Sequence, residues 1–147
     1  MAVKKRFEMH QVLSYRTELE KLCKQDFAAA KQDLDTAADC LERERVVAEE
    51  LAKEFSDRQQ QIDTVFEIQL YADFFVRKRE EIKEHQRRVE ALDRVLEDRR
   101  DELIQATKEK KVMERLKEKQ EEAFRREQAY KEGLLLDEIA TQKKGQE

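Results

Sequence analysis

The sequence predicts an all-α fold in which two long helices form an antiparallel coiled-coil hairpin, with the second helix longer and overhanging. Three observations support this: the composition, the spacing of apolar residues and a single polar break. The chain of 147 residues is 45% charged and contains two Gly and no Pro. Many charged and aliphatic residues with few helix breakers are typical of long helices. Disorder is the alternative for so charged a chain, but the regular apolar spacing argues against it.

The first predicted helix covers about residues 5–57. Its apolar residues alternate in steps of four and three, a period of about 3.5 that keeps one stripe, the seam, facing one partner helix. Upstream, Val12, Tyr15, Leu19 and Leu22 are predicted to continue the seam with a small phase shift. The main predicted seam positions are Cys23, Phe27, Ala30, Leu34, Ala37, Leu41, Glu44, Ala48, Leu51 and Phe55.

A turn is predicted at about residues 58–63, because the segment SDRQQQID (56–63) contains a single apolar residue, Ile62. Thr64 and Glu67 then match a capping box, in which a hydroxyl and a carboxylate satisfy backbone N–H groups at a helix start. The second helix is predicted over about 64–140, with a frayed tail at 141–147.

The second helix carries its own seam in steps of four and three. Lys78, Arg99 and Lys110 are charged members of this seam, whose stems can cover apolar surface while the charge reaches water. The predicted positions are Tyr71, Phe75, Lys78, Ile82, His85, Val89, Leu92, Leu96, Arg99, Leu103, Ala106, Lys110 and Met113.

The chain is expected to form one rod-like domain over residues 1–147. A reversal near residue 60 would place residue i opposite about residue 121 − i, so that Leu51 meets the Tyr71 region. Residues after about 118 would then have no partner in the first helix. Phe124, Tyr130 and Leu134–Leu136 would be exposed on one projecting helix, which suggests a binding surface. Fraying or loose self-association is the alternative.

Several functional classes are disfavoured by the sequence. The net charge is −4 with interleaved signs, whereas a nucleic-acid-binding protein would carry a basic face. Two glycines cannot build a phosphate-binding loop, and a two-helix hairpin offers no cleft for catalysis. We therefore expect no enzymatic activity, no cofactor, no metal site and no nucleic-acid partner. Cys23 and Cys40 are expected to be reduced, and His85 to pack in the seam.

No transmembrane segment and no secretory signal are expected, because the longest apolar runs contain three residues and a spanning helix needs about 20. The basic cluster at Lys4–Arg6 is not followed by an apolar stretch. These features predict a cytoplasmic protein.

Three segments of the sequence are distinctive: KKRFEMHQVLSYRTELEK near the start, IQLYADFFVRKREEIKEHQRRV in the middle, and KKVMERLKEKQEEAFRREQAYKEGLLLDEIA towards the end. Together they resemble the flagellar export protein FliJ family. The resemblance covers nearly the whole chain. The combination of chain length, central break, a Tyr-x-x-Phe motif and the final segment carries it.

The resemblance implies a non-enzymatic component of the bacterial flagellar type III protein export apparatus, which serves flagellum assembly, motility and chemotaxis. It implies a stalk that binds the hexameric export ATPase and the cytoplasmic domain of the membrane export gate, and that handles export chaperones. It also implies a cytoplasmic location with peripheral association at the inner face of the cell membrane. The implied gate contacts are Tyr71, Phe74 and His85. The implied contacts with the ATPase ring are Phe7, Met113, Leu116, Gln120, Phe124 and Tyr130.

Two other interpretations remain open at this point. The chain could be the equivalent stalk of a virulence type III secretion system, which the sequence discriminates poorly from a flagellar stalk. It could also be a homodimeric coiled-coil scaffold, because a charged sequence with heptads predicts a dimer as readily as a hairpin.

Overall fold

The computed structural model describes residues 9–145, and two helices account for most of that range. Helix α1 is His10–Arg58, with 49 residues, and helix α2 is Val65–Gly145, with 81 residues. The absence of Pro leaves every interior backbone N–H able to donate to the preceding turn. The helices pack antiparallel, as ion pairs from Lys78 to Glu44 and from Arg16 to Glu109 show. The predicted all-α helical hairpin is therefore confirmed.

The turn spans residues 59–64 between the two helices. The backbone N–H of Gln61 donates to the carbonyl of Arg58 over 2.9 Å and closes the end of α1. The backbone N–H of Glu67 donates to the hydroxyl of Thr64 over 3.4 Å. Thr64 is thus the N-cap of α2, and this bond is the first half of the predicted capping box.

Helix α2 continues through residues 141–145 of the expected frayed tail, and the last two residues of that tail lie outside the described residues. The Thr141 hydroxyl donates to the Asp137 carbonyl over 2.8 Å. Lys143 and Lys144 lie in the last turn, where positive charge interacts favourably with the helix dipole. At the other end, α1 begins at His10; residues 5–8 of the predicted first helix lie outside the described residues.

The interhelical packing forms two compact units. In unit 1, the segment of α1 up to Leu22 packs with α2 from Ile104 onwards; unit 2 is Cys23–Leu103. A single rod-like domain remains a prediction.

The core of unit 2 follows the predicted seams. From Cys23 to Leu103, every predicted seam position is buried or half-buried. Small side chains allow close approach of the helices, and Ala30 and Ala37 are only 7% and 5% exposed. On α2, Leu96 is the corresponding buried residue, at 7% exposed. An aromatic cluster lies near the turn, with the Phe55 ring centroid 5.1 Å from that of Tyr71 and 5.9 Å from that of Phe75.

The α1 seam of unit 1 was predicted wrongly at its exposed members. Val12, Tyr15 and Leu22 were placed in the seam, but they are 37%, 61% and 55% exposed. The four-and-three spacing instead continues upstream from Cys23 through residues with polar as well as apolar side chains. The observed seam positions are Leu13, Arg16 and Glu20, with Leu19 half-buried beside them.

Ion pairs explain why polar residues occupy the seam of unit 1. Arg16 pairs with Glu109, and Lys110 Nζ lies 3.4 Å from Glu20 Oε1. Glu20 is 6% exposed. A buried carboxylate needs such a partner, because an unpaired buried charge is costly.

The contacts near the turn lie within about one helical turn of the predicted register. Leu51 was expected opposite the Tyr71 region, and both residues line the same surface groove. The ring of Tyr71 also packs on Phe55, one turn later along α1. An apolar spacing repeats every heptad, so it specifies the seam better than the register.

Candidate protein-binding surfaces

Tyr71 and Phe74, in the first turns of α2, lie on the wall of a surface groove near the turn. The groove has a volume of about 390 Å³ and is lined by Leu51, Glu54, Arg58, Glu67, Leu70, Tyr71 and Phe74. We call it the turn-side groove. Its lining combines apolar and aromatic side chains with charged side chains of both signs.

Tyr71 is held by contacts at its hydroxyl group and at its ring. Its hydroxyl donates to Glu54 Oε1 over 3.4 Å and accepts from Arg58 over 3.3 Å, while its ring packs on Phe55. Glu54 and Arg58 also pair with each other at 3.5 Å. These contacts connect the end of α1 to the start of α2 and fix the orientation of the ring in the groove.

Phe74 lies beside two cations of its own helix. The guanidinium carbon of Arg77 is 5.9 Å from the Phe74 ring centroid, and Lys78 Nζ is 5.7 Å from it. A ring flanked by cations on a half-buried site is held by cation–π attraction. Phe74 is therefore both a lining residue of the groove and a cation–π partner of its own helix.

Lys78 occupies the seam rather than the groove. Its Nζ lies 2.7 Å from Glu44 Oε2 and 3.0 Å from Glu81 Oε2. The hydrogen bond with Lys78 is the largest cause that lowers the pKa of Glu44, and the same bond raises the pKa of Lys78. The charge at position 78 is thus neutralised within unit 2 and does not interrupt the surface formed by Tyr71 and Phe74.

His85 is half-buried in the seam, one heptad after Lys78. It lies 14 residues after Tyr71, which corresponds to about 21 Å along the helix. The structure therefore brings Tyr71 and Phe74 together in one groove and places His85 apart from them.

The predicted contacts of the ATPase ring are distributed along the last part of α2. Met113 is 7% exposed and packs in the core of unit 1, whereas Leu116 is 40% and Tyr130 68% exposed. Gln120 is exposed and Phe124 is half-buried. Phe7 lies outside the described residues.

All residues from 129 to 145 are exposed, and α1 begins only at His10. This segment carries large apolar side chains in solvent. Leu134, Leu135, Leu136 and Ile139 are 51%, 58%, 66% and 48% exposed. We call the exposed residues Leu116, Gln120, Tyr130, Leu134–Leu136 and Ile139, with Phe124, the terminal surface. Among residues 9–145, no part of α1 covers positions 129–145, and such a density of exposed apolar side chains is typical of a binding segment.

The two cysteines are free and half-buried. Burial raises the pKa of the Cys23 thiol, and the nearby charges of Glu102 and Asp26 add to this effect. A raised pKa favours the protonated thiol over the thiolate.

The sequence reasoning missed several exposed apolar residues, including two groups. One is at the start of α2, where Val65 and Phe66 are 79% and 70% exposed. The other is the Val12, Tyr15 and Leu22 line of α1, which was assigned to the seam. The spacing of this line could have revealed its exposure. Its residues are out of step with the four-and-three series of seam positions that leads into Cys23.

Within residues 9–145, neither helix has an apolar stretch long and pure enough to cross a bilayer. Across the same range, His, Cys, Asp and Glu side chains form no group of three that could hold a metal ion.

The chain was compared with known protein families, curated proteins and solved structures. The model of a family described as flagellar FliJ protein matches residues 5–147 of the chain. No curated protein matches the chain, and no solved structure matches it.

Proposed function

The chain belongs to the FliJ family and is a flagellar export-associated protein, and on this premise we propose that it is a non-enzymatic stalk of the export apparatus. In this role it binds the hexameric export ATPase through the terminal surface and the cytoplasmic domain of the export gate through the turn-side groove. It acts in the cytoplasm, at the inner face of the cell membrane, and it also handles export chaperones.

One observation carries the proposal. The terminal surface exposes a tyrosine, three leucines and an isoleucine on a segment that no part of α1 accompanies. Exposing such a group to water costs free energy that binding recovers. A single helix is also narrow, about 10–12 Å across with side chains, so it suits a site inside a ring better than a flat interface.

The ATPase part of the proposal is tested with the double variant Tyr130→Ala, Leu134→Ala. Each residue is at least half exposed, so the fold should be unaffected. We expect affinity for the purified export ATPase to fall at least about tenfold, as for loss of apolar anchors from an interface. Isothermal calorimetry or co-sedimentation measures it.

The matched control is Val65→Ala, Phe66→Ala, which removes comparable exposed apolar surface from the start of α2. It should bind the ATPase like the unmodified chain. Equal loss in both variants, or no loss in either, would reject the terminal surface as the ATPase site. Met113 is left out of the proposed contact because it is buried.

The gate part is tested with Phe74→Ala, His85→Ala. These substitutions should weaken binding to the isolated cytoplasmic domain of the export gate while leaving ATPase binding unchanged. Val76→Ala is the control, since Val76 lies next to the groove residues in sequence and is 59% exposed. Because His85 lies about 21 Å from Tyr71, the single variants also show whether one or both positions contribute. Normal gate affinity of the double variant would reject this assignment.

Chaperone binding is tested with the same variants. Pull-down of each purified export chaperone with the Tyr130, Leu134 variant and with the Phe74, His85 variant would assign it to the terminal surface, to the groove, or to neither.

A further inference from the structure

Unit 1 has a second apolar line that its own two helices leave uncovered. Val12, Tyr15 and Leu22 of α1 are 37%, 61% and 55% exposed, and Val112 of α2 is 58% exposed. Leu19 is half-buried between them. We call these five residues the lateral face. None of them belongs to the terminal surface or to the turn-side groove.

The two helices present this line on the same side of unit 1. Val12 and Leu19 immediately precede the seam positions Leu13 and Glu20. In an antiparallel pair, positions that immediately precede seam positions on the two helices lie on one side. Glu109, which precedes the seam residue Lys110, pairs with Arg16 and shows this side directly. Val112 lies one turn from Glu109 on the same side of α2.

Positive charge borders the lateral face along α2. Lys108, Arg115 and Lys119 are exposed, and none of them forms an ion pair within the described part of the chain. Helical spacing places Lys108 one turn before Val112 and Arg115 one turn after it, on neighbouring positions of the helix surface. Lys119 lies one heptad after Val112. Over the same length of α1, the corresponding edge has one carboxylate, Glu18.

The opposite side of the same α2 segment is mainly acidic. Glu114, Glu118 and Glu121 are exposed there, together with one cation, Lys111. The side next to the apolar line is mainly basic, and its carboxylate Glu109 is paired with Arg16. This division gives the lateral face a charge preference that the net charge of the chain, −4, would not suggest.

We propose that the lateral face binds an acidic amphipathic helix of another protein, which lies along the α1–α2 pair of unit 1 as a third helix. The apolar residues at 12, 15, 19 and 22 recur every three or four positions, the spacing that receives the apolar stripe of a helix. They extend over about 15 Å, which matches about three turns of a partner helix. Acidic residues beside the partner's apolar stripe would then face Lys108, Arg115 and Lys119.

The probe is a fluorescein-labelled synthetic peptide of three heptads with leucine at the apolar positions and glutamate on both flanks. A second peptide has lysine in place of every glutamate. Fluorescence anisotropy with the full chain should give at least about tenfold tighter binding for the acidic peptide. Raising the salt concentration should reduce this preference, because the flanking charges are exposed.

Two variants test the surface. Tyr15→Gln, Leu22→Gln should weaken binding of the acidic peptide at least about tenfold, whereas Val46→Gln, Val47→Gln should not. Val46 and Val47 lie on α1 in unit 2 and are each 41% exposed, so they control for general attraction to apolar residues. Lys108→Glu, Arg115→Glu, Lys119→Glu should transfer the preference to the basic peptide. Circular dichroism of each variant should show unchanged helix content.

Three outcomes would overturn the proposal. The first is equal binding of both peptides, and the second is peptide binding that the Tyr15, Leu22 variant leaves unchanged. The third is a stable dimer by light scattering that dissociates in that variant, because a second copy of the chain would then cover the face.

Discussion

The ion pair between Glu44 and Lys78 should stabilise unit 2 measurably, although both residues occupy seam positions. The pair is short, at 2.7 Å, and its side chains are 27% and 17% exposed. It is therefore better shielded than a surface pair, which contributes about 0.2–1 kcal/mol, but less than a buried pair, whose disruption costs about 3–5 kcal/mol. We expect a coupling energy of about 1–2 kcal/mol between these limits.

The single substitutions should not be equivalent. Glu44→Gln leaves Lys78 bonded to Glu81 at 3.0 Å, so its cost should be about 1 kcal/mol. Lys78→Met leaves the Glu44 carboxylate without its cation in a half-buried position, so its cost should be larger, about 2 kcal/mol. Urea unfolding of both single variants, the double variant and the unmodified chain at pH 7 gives the coupling energy as a double-mutant cycle.

The pH dependence of the coupling follows from the two pKa shifts. The hydrogen bond with Lys78 lowers the pKa of Glu44 in the folded chain. The stabilisation is therefore present above the unfolded pKa, about 4.3, and is lost as the pH falls through the folded value. The same bond raises the pKa of Lys78, so its contribution is present below about pH 10.4 and is lost as the pH rises through the folded value. The coupling should be largest between these limits.

The matched control is the pair of Lys83 with Glu80, which is longer, at 3.7 Å, and has side chains 51% and 64% exposed. Its cycle, measured with Lys83→Met and Glu80→Gln, should give less than about 0.5 kcal/mol. A Glu44–Lys78 coupling no larger than that of the control, or one that persists undiminished at pH 2, would refute the reasoning.

Three further substitutions test local features of the fold. Phe55→Ala removes the ring that packs on Tyr71 and Phe75 and should lower the free energy of unfolding by about 2–3 kcal/mol, which urea unfolding measures; a cost below 1 kcal/mol would contradict this packing. Thr64→Ala removes the N-cap bond to Glu67, which is long, so we expect a cost near 0.5 kcal/mol and faster amide exchange in the first turn of α2; unchanged exchange there would refute the cap. Gly133→Ala adds a methyl group with no atom within 4 Å and should stabilise the surrounding turns by about 0.5–1 kcal/mol, seen as slower exchange of the neighbouring amides; faster exchange would mean that this segment is not helical in solution.

The seam of unit 2 was predictable because one physical effect determines it. Between Cys23 and Phe55 the sequence offers a single apolar stripe, so burial and periodicity lead to the same positions. Only Glu44 departs from it, and its cation lies opposite at Lys78. The break at residues 59–64 was predictable for a related reason, since a polar segment followed by Thr64 has little to bury and a cap with which to restart the helix.

The seam of unit 1 was not predictable from apolar residues alone. The segment from His10 to Leu22 offers two candidate stripes, and the more apolar one, with Val12, Tyr15 and Leu22, is the exposed one. The buried stripe includes Arg16 and Glu20, whose partners, Glu109 and Lys110, are about 90 residues away in sequence. Pairing between residues so far apart in sequence depends on the tertiary fold, and the local spacing of residues does not predict it. The exact register could not be predicted for the same reason. Only specific contacts between the helices, such as that of Phe55 with Tyr71, distinguish one alignment from another shifted by a turn.

The charged seam residues also decide between a hairpin and a parallel homodimer. In a parallel two-chain coiled coil each seam residue faces its own copy, so Glu44 would meet Glu44 and Lys78 would meet Lys78. Like charges that face each other across a seam repel. In the antiparallel arrangement the same residues form Glu44–Lys78 in unit 2 and Glu20–Lys110 in unit 1. These pairs add less stability than apolar residues would, but they disfavour the parallel alternative, and this difference in free energy selects the hairpin.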